Sequence, residues 1–381
     1  MSKFSCPYCY EMHSENDCIF KCSYSILGAQ QSCKFGFEKN KDGSIKQANI
    51  RKCLKCDHAA LKVYCPHQND NDVYQKYGFD LEIPQTCREK VNFSIAMLGA
   101  KGVGKTNFIA VLVDEIKKKM SKSFECAFNA ANEQTKVIYE ENFYSPIYRK
   151  GITPKGTDRG VIPPLIYSID FLDKKTFRII KSVSITFYDT AGEDLNDIST
   201  MTTEKGYIAN ADGIIVLLDP LQIPSIRAKL EGKISLPEVK TDTADIIERV
   251  INIYKEVKKV KTNIKVPIAL AFSKMDVLEK YDVLPRDACL RDESEHLAKR
   301  AFVQSDFVNT QHEMETLLDN FIEGDIDQKI KMFSKHAYFG VSALGVNPVG
   351  NTIPGGGVQP HRVLDPLIWL LAQSKYIDTI K

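Results

Sequence analysis

The sequence predicts an α/β fold: a doubly wound, mostly parallel six-stranded sheet with helices on both faces, preceded by a small cysteine-rich domain. Three observations carry that reading. From about residue 91 onward, nearly continuous apolar runs alternate with amphipathic stretches, the pattern of strands covered on both faces and joined by crossover helices. Nine of the eleven cysteines precede residue 90, several as CxxC pairs. And 381 residues leave room for two or three domains of ~100–200 residues each. The expected domains are residues 1–90 and 91–381.

In chain order, the strands are VNFSIAMLG (91–99), PLIYSIDFL (164–172), VSITFYD (183–189), GIIVLLD (213–219), VPIALAF (266–272) and HAYFGVS (336–342). Helical periodicity marks TNFIAVLVDEIKKKM, TADIIERVINIYKEVKKV, METLLDNFIEG and the closing RVLDPLIWLLAQSKYI, where Trp369 reads as core. Only DKKTFRIIKS joins the second and third strands. That is too short for a crossover helix, so the two are expected to be antiparallel neighbours at one edge of the sheet. Residues 122–162 and 280–310 break the alternation and read as insertions or mobile loops. NPVGNTIPGGGVQP (347–360) reads as a flexible Gly/Pro connector, because no strand leads directly into it and no Lys-Thr follows.

Composition narrows the function. With 51 basic and 49 acidic residues the formal charge is +2, which gives no pull toward nucleic acid or an anionic membrane. The runs KKKM (117–120) and KEVKKVK (255–261) fall on amphipathic helices, where a solvated face explains them. The opening MSKFSCPYCYEMHSEND has no apolar signal core, and no later run reaches the ~18 apolar residues of a membrane span. The chain therefore reads as cytoplasmic, and its cysteines as metal ligands or buried thiols rather than disulfides.

Residues 99–106, GAKGVGKT, follow the first strand and open the first helix. A phosphate-binding loop needs inward backbone N–H groups, glycines that let the chain curl, a lysine for the β- and γ-phosphates and a hydroxyl for magnesium. Gly99, Gly102, Gly104, Lys105 and Thr106 supply these, and the helix N-terminus adds its dipole. Three further motifs follow in order. FYDTAGED ends the third strand, with Asp189 placed to hold magnesium through water and Gly192 to sense a γ-phosphate. AFSKMD ends the fifth, where the Asp276 carboxylate can accept two hydrogen bonds from the guanine edge while the Lys274 stem packs on the base. GVSALG ends the sixth, where a backbone amide at Ser342 or Ala343 can meet the guanine carbonyl. Each motif lies at the carboxyl end of a strand, where ligands bind in open α/β sheets.

On these motifs the chain from about residue 91 to 381 resembles the Ras-like, translation-factor-related P-loop GTPases. The resemblance implies GTP or GDP with Mg2+ as ligands: Lys105 on the phosphates, Thr106 and Asp189 on magnesium, Gly192 at the γ-phosphate, Lys274, Asp276, Ser342 and Ala343 at guanine. It also implies a first-switch threonine completing the magnesium shell, for which GITPKGTDRGVIPPLIY offers Thr157 or Thr153, with Thr157 favoured. Arg159 reads as a solvated loop arginine before an internal arginine finger. Three positions depart from the pattern. Glu193 stands where many such proteins have a water-orienting glutamine, so hydrolysis is expected to be slow without a partner. Ser273 replaces the Asn of NKxD, which is expected to weaken the bracing of the pocket. Lys101 replaces a glycine beside the γ-phosphate and is expected to crowd an incoming arginine finger.

In the cysteine-rich segment, CPYC (6–9) and CLKC (53–56) read as knuckles, each presenting two thiolates to one tetrahedral zinc ion. The expected sets are Cys6, Cys9, Cys22 and Cys33, and then Cys53, Cys56, Cys65 and His67, with His58 competing for the last position and Cys18 and Cys87 as spares. Cys126 and Cys289 read as free thiols. Residues 1–90 carry 13 Lys+Arg and 11 Asp+Glu with no basic stripe, which favours a protein-docking head over a nucleic-acid binder. The combination resembles bacterial double-GTPase-type proteins, which implies a switch acting on protein partners within multigene defence or conflict systems. Two rival functions stay open here, a GTP-binding module with negligible turnover and a ribosome- or nucleic-acid-associated GTPase. So does dimerisation across nucleotides.

Overall fold

The computed structural model describes residues 3–22, 61–69, 81–100, 102–154, 163–173, 175–189, 206–238, 243–260, 262–321, 325–355 and 357–381. The chain forms two compact units, Met1–Asn92 and Phe93–Lys381. In the first, Phe4–Ser5 pairs antiparallel with Met12–His13, and Ile19–Cys22 pairs antiparallel with Leu61–Tyr64.

The sheet of the second unit contains β1 (Val91–Gly99), β2 (Cys126–Ala130), β3 (Leu165–Leu172), β4 (Ile179–Asp189), β5 (Gly213–Leu218), β6 (Ile268–Phe272) and β7 (His336–Gly340). Its order is β7-β6-β5-β1-β4-β3-β2. β5 runs parallel to β1 and to β6, and β6 parallel to β7. β3 runs antiparallel to both β4 and β2. All six expected strands form, with the second and third paired antiparallel as their short connection requires. The expected count of six is corrected to seven. The addition, β2, comes from the stretch read as an insertion, and it displaces β3 from the edge. Its five residues, CAFNA, carry too little periodicity to announce a strand; the pairing Cys126↔Phe171 to Ala130↔Tyr167 defines it.

Continuous apolar runs arise because both faces are covered. Ile95, Ala96, Met97 and Leu98 of β1 are all fully buried. One face packs on α1 (Lys105–Glu115) and on the late helix Asp365–Gln373, whose Trp369 lies edge-on to Phe339 at 5.9 Å. Beyond β2 the chain winds into a helix, Glu133–Ile138, capped by Asn132 and continued as a wide π-type helix, Tyr139–Arg149, that buries Phe143 and Ile147. Pro146 lies inside it, where a sequence pattern would ordinarily argue against a helix. The KKKM run is partly neutralised, since Lys118 and Lys119 each pair at 2.7 Å with the buried Asp114 and Glu115.

Residues 280–310, which break the alternation in the sequence, form short elements. They include the helix Glu295–Lys299, the strand Phe302–Val303 paired with Thr379–Ile380, and the start of the helix Gln304–Phe321. One of their charged residues, Asp306, is paired in the interior. Buried Arg362 bridges Asp306 and Asp365, each at 2.8 Å, and Asp306 lies 3.9 Å from the Nε2 of buried His296. The 347–360 connector is also pinned: Gln359 N–H donates to Leu344 O at 2.8 Å, and Ser342 and His361 exchange backbone hydrogen bonds at 3.0 and 2.9 Å. At its tip Thr153 N–H donates to Asn351 O and Ile353 N–H to Gly151 O, both at 2.8 Å. Gly345 is required at the base, because a Cβ there would sit 2.1 Å from Gln359 O. Among the described residues no helix is long and apolar enough to cross a membrane.

Candidate nucleotide site and cysteine cluster

The loop after β1 is shaped by three glycines for two reasons. At Gly99 a Cβ would lie 2.7 Å from Leu217 O and 2.8 Å from Val103 Cγ1, so only glycine lets the loop press on β5. Gly102 and Gly104 adopt φ of 81° and 97°, open to solvent but strained for any side chain. Gly104 hands directly into α1, where Lys105 is 7% exposed and half-buried Thr106 follows. The Lys105 ammonium donates to Gly99 O at 2.7 Å and Ala100 O at 3.3 Å. It lies over the loop's own carbonyls, where phosphate oxygens can replace them as acceptors.

Two strand ends away, Ser273 follows β6. Its Oγ lies 3.1 Å from Val103 O and 3.0 Å from Leu218 O, close enough to bond either. With one proton to donate, the hydroxyl can bond the phosphate loop or the end of β5, one at a time.

Lys274 adopts a left-handed φ of 56° and opens the helix Met275–Lys280. Its Nζ pairs with Asp219 Oδ2 at 2.6 Å, and the other oxygen of Asp219 accepts from Leu221 N–H at 3.0 Å. Motif reading did not single out Asp219; it directly follows β5, and that position at the carboxyl end of the sheet could have flagged it. The Asp276 N–H donates to Ser342 Oγ at 2.8 Å. Burial pushes the Asp276 carboxyl above its usual value, and the Ser342 hydroxyl and the Lys274 and Lys280 charges pull it partly back. Because Ser342 N–H is given to His361 O, the Ala343 amide is the candidate of the two for a base carbonyl. Asp189 closes β4. Thr153, the alternative first-switch residue, is held through its N–H by Asn351 O. Thr157, Arg159, Gly192, Glu193 and Lys101 lie outside the described residues.

In the first unit the described ligand groups assemble differently from expectation. Cys6 and Cys9 stand with Cys65 and His13, their four ligand atoms within 4.8 Å of one another. Cys65 had been assigned to the second set, and His13 to neither. His67, the expected partner of Cys65, lies 3.2 Å from Glu11 Oε2 instead. Cys22 is buried in its strand outside this group, and Cys33, Cys53, Cys56 and His58 lie outside the described residues. The regrouping has a plain cause: the CPYC turn folds back on the Met12–His13 strand, which carries His13 home to it. Cys126 and Cys289 carry thiols without disulfides, and burial pushes that of Cys126 up to about 11.

With this geometry in view, the chain was compared with known proteins. The family model for Double-GTPase 2 matches residues 94–322, more than half of the chain. The chain belongs to the Double-GTPase 2 family. The match takes in the phosphate loop, β4 and the Lys274–Asp276 turn and ends before Ser342. As a Double-GTPase 2 member it is a P-loop GTPase of double-GTPase type, with GTP or GDP as the nucleotide its family implies. SaeC of Mycolicibacterium smegmatis, named provisionally for ESX-1 scaffolding and assembly, is 25% identical over 328 residues, 76% of each chain. Among solved structures, one provisionally named nucleolar GTP-binding protein 1, from Plasmodium falciparum, covers 77% of this chain and 92% of its own at 15% identity, with a TM-score of 0.26.

Proposed function

We propose that this protein is a magnesium-dependent switch that binds and slowly hydrolyses GTP and passes its nucleotide state to protein partners. What supports the reading is convergence at one end of the sheet. The phosphate loop, the Lys274–Asp276 turn and the Ser342–Ala343 turn follow β1, β6 and β7, at the carboxyl ends where an open sheet binds ligands. In this reading Lys105 neutralises the β- and γ-phosphates, Thr106, Asp189 and Thr157 hold magnesium, Gly192 senses the γ-phosphate, and Asp276 selects guanine. Glu193 in place of glutamine makes turnover depend on a partner. The scaffolding role in the name of the mycobacterial relative, and the resemblance to conflict-system proteins, both favour a multiprotein assembly as the target. We extend the proposal to zinc in the first unit.

Binding of fluorescent GTP, GDP and ATP analogues with magnesium, beside phosphate release, tests it. Guanine-selective binding is expected, weakened by about 2 kcal/mol or more in Lys105→Ala through loss of charge-assisted hydrogen bonds, and stripped of guanine preference in Asp276→Asn. Equal binding of ATP and GTP would sink the guanine assignment. Guanine binding without any phosphate release would reduce the protein to a nucleotide-binding module.

A further inference from the structure

We infer that Cys6, Cys9, His13 and Cys65 are the four ligands of a single tetrahedral zinc ion; the inference rests on the zinc reading above and fixes its ligand set. The geometry is built by backbone, not by chance proximity of side chains. Cys6 N–H donates to Glu11 O at 2.9 Å and Tyr10 N–H to Cys6 O at 3.0 Å, with Tyr10 in the left-handed region at φ 65°. That tight turn sets the two CPYC thiols side by side. His13 stands in register opposite Phe4 on the paired strand, and its Nε2 lies 3.0 Å from Cys9 Sγ. Cys65 arrives from another antiparallel strand pair, just after Leu61–Tyr64, where its N–H is fixed to Leu81 O at 3.0 Å.

The four ligand atoms fall within 4.8 Å of one another, and Cys6, His13 and Cys65 are buried. Ligands on a tetrahedron with Zn–S near 2.3 Å stand about 3.8 Å apart, so closure on an ion draws the wider pairs in and lets Cys9 Sγ and His13 Nε2 part slightly from 3.0 Å. Three soft thiolates with one imidazole suit zinc over magnesium or calcium. The second grouping that shares His13, with Glu11 and His67, lacks thiolates, and its Glu11 and His67 side chains are 64% and 36% exposed. His13 therefore belongs with the cysteines. The sequence carried part of the signal: Cys6-x2-Cys9 has the spacing that zinc knuckles use, and His13 follows closely after it.

The test uses the full chain, with metal content by elemental analysis and cobalt(II) as the spectroscopic substitute. Wild type is expected to hold zinc, and Cys65→Ser to lose one equivalent relative to it. His67→Ala should keep both the metal and the cobalt spectrum. His13→Cys, which preserves a ligand and hence the fold, should keep the equivalent but intensify the thiolate-to-cobalt charge-transfer band as a fourth sulfur joins. A changed spectrum in His67→Ala together with an unchanged one in His13→Cys would overturn the ligand set and leave zinc standing. Wild type that takes up no zinc, or that holds iron instead, would overturn the zinc reading itself.

Discussion

The two units solve the same stability problem with different means. The second has a large apolar core: β1, β5 and β6 are buried on both faces, and aromatic residues from three elements meet at Trp369. In the first, the described strands are two to four residues long, and three of the described cysteines converge with a histidine. A short segment without long apolar runs buries too little surface to offset its chain entropy and needs a staple. On the proposed zinc site, the comparison separates two means of holding a unit: transfer of apolar surface from water in the second, with ligand bonds added in the first.

The largest expected effect tests that contrast directly. A structural zinc ion contributes ~10–16 kcal/mol of apparent binding energy. Withdrawing metal with a strong chelator should therefore erase hydrogen-exchange protection in residues 1–92 while the strands of the second unit keep theirs. Equal loss in both units would break the comparison. Next, Trp369→Ala should cost ~3–5 kcal/mol by leaving a cavity in a packed core, read as an earlier denaturant midpoint, with zinc content unchanged. Asp219→Asn comes third. It leaves the Lys274 ammonium without its charged partner and should weaken GDP binding by ~1.5–3 kcal/mol, read as a raised Kd. An unchanged Kd would mean that Lys274 needs no positioning. Ser273→Ala should be milder, ~0.5–1.5 kcal/mol in the same assay.

The smallest effect is one of pH. Asp276 must be ionised to accept hydrogen bonds from guanine, and burial raises its carboxyl above 3.8. Acidification should therefore weaken GDP binding at a higher pH than an ordinary carboxylate would allow, and Asp276→Asn should remove that dependence. The sign for folding is the reverse. A carboxyl raised in the native state favours the fold while protonated, and that contribution is lost as pH rises from 3.8 through the raised native value.

The strands of the sheet were legible because burial on both faces leaves unbroken apolar runs. β2 was not, since CAFNA becomes a strand only by pairing with β3, and the wide helix over 139–149 hides behind Pro146. At the nucleotide end, phosphate chemistry restricts the residue types and spacing so tightly that the motifs stand out locally. Asp219 lacks such a signature, because its role is set by a lysine that is 55 residues away. The company of Cys65 is hard to read for a related reason: it depends on how two strand pairs come together, and spacing along the chain does not record that.

The pinned connector has a consequence for how the molecule is made. Ser342 and Leu344 at the guanine end are secured by His361 and Gln359, Asp306 is neutralised by Arg362, and Phe302 N–H bonds to Asp378 O. A chain emerging from the ribosome N-terminus first thus carries the phosphate loop and the Lys274–Asp276 turn well before residues 359–378 arrive to fasten the Ser342–Leu344 turn. Until then Asp306 waits without its arginine. In the reading proposed above, tight guanine binding would accordingly wait on the docking of residues 359–378.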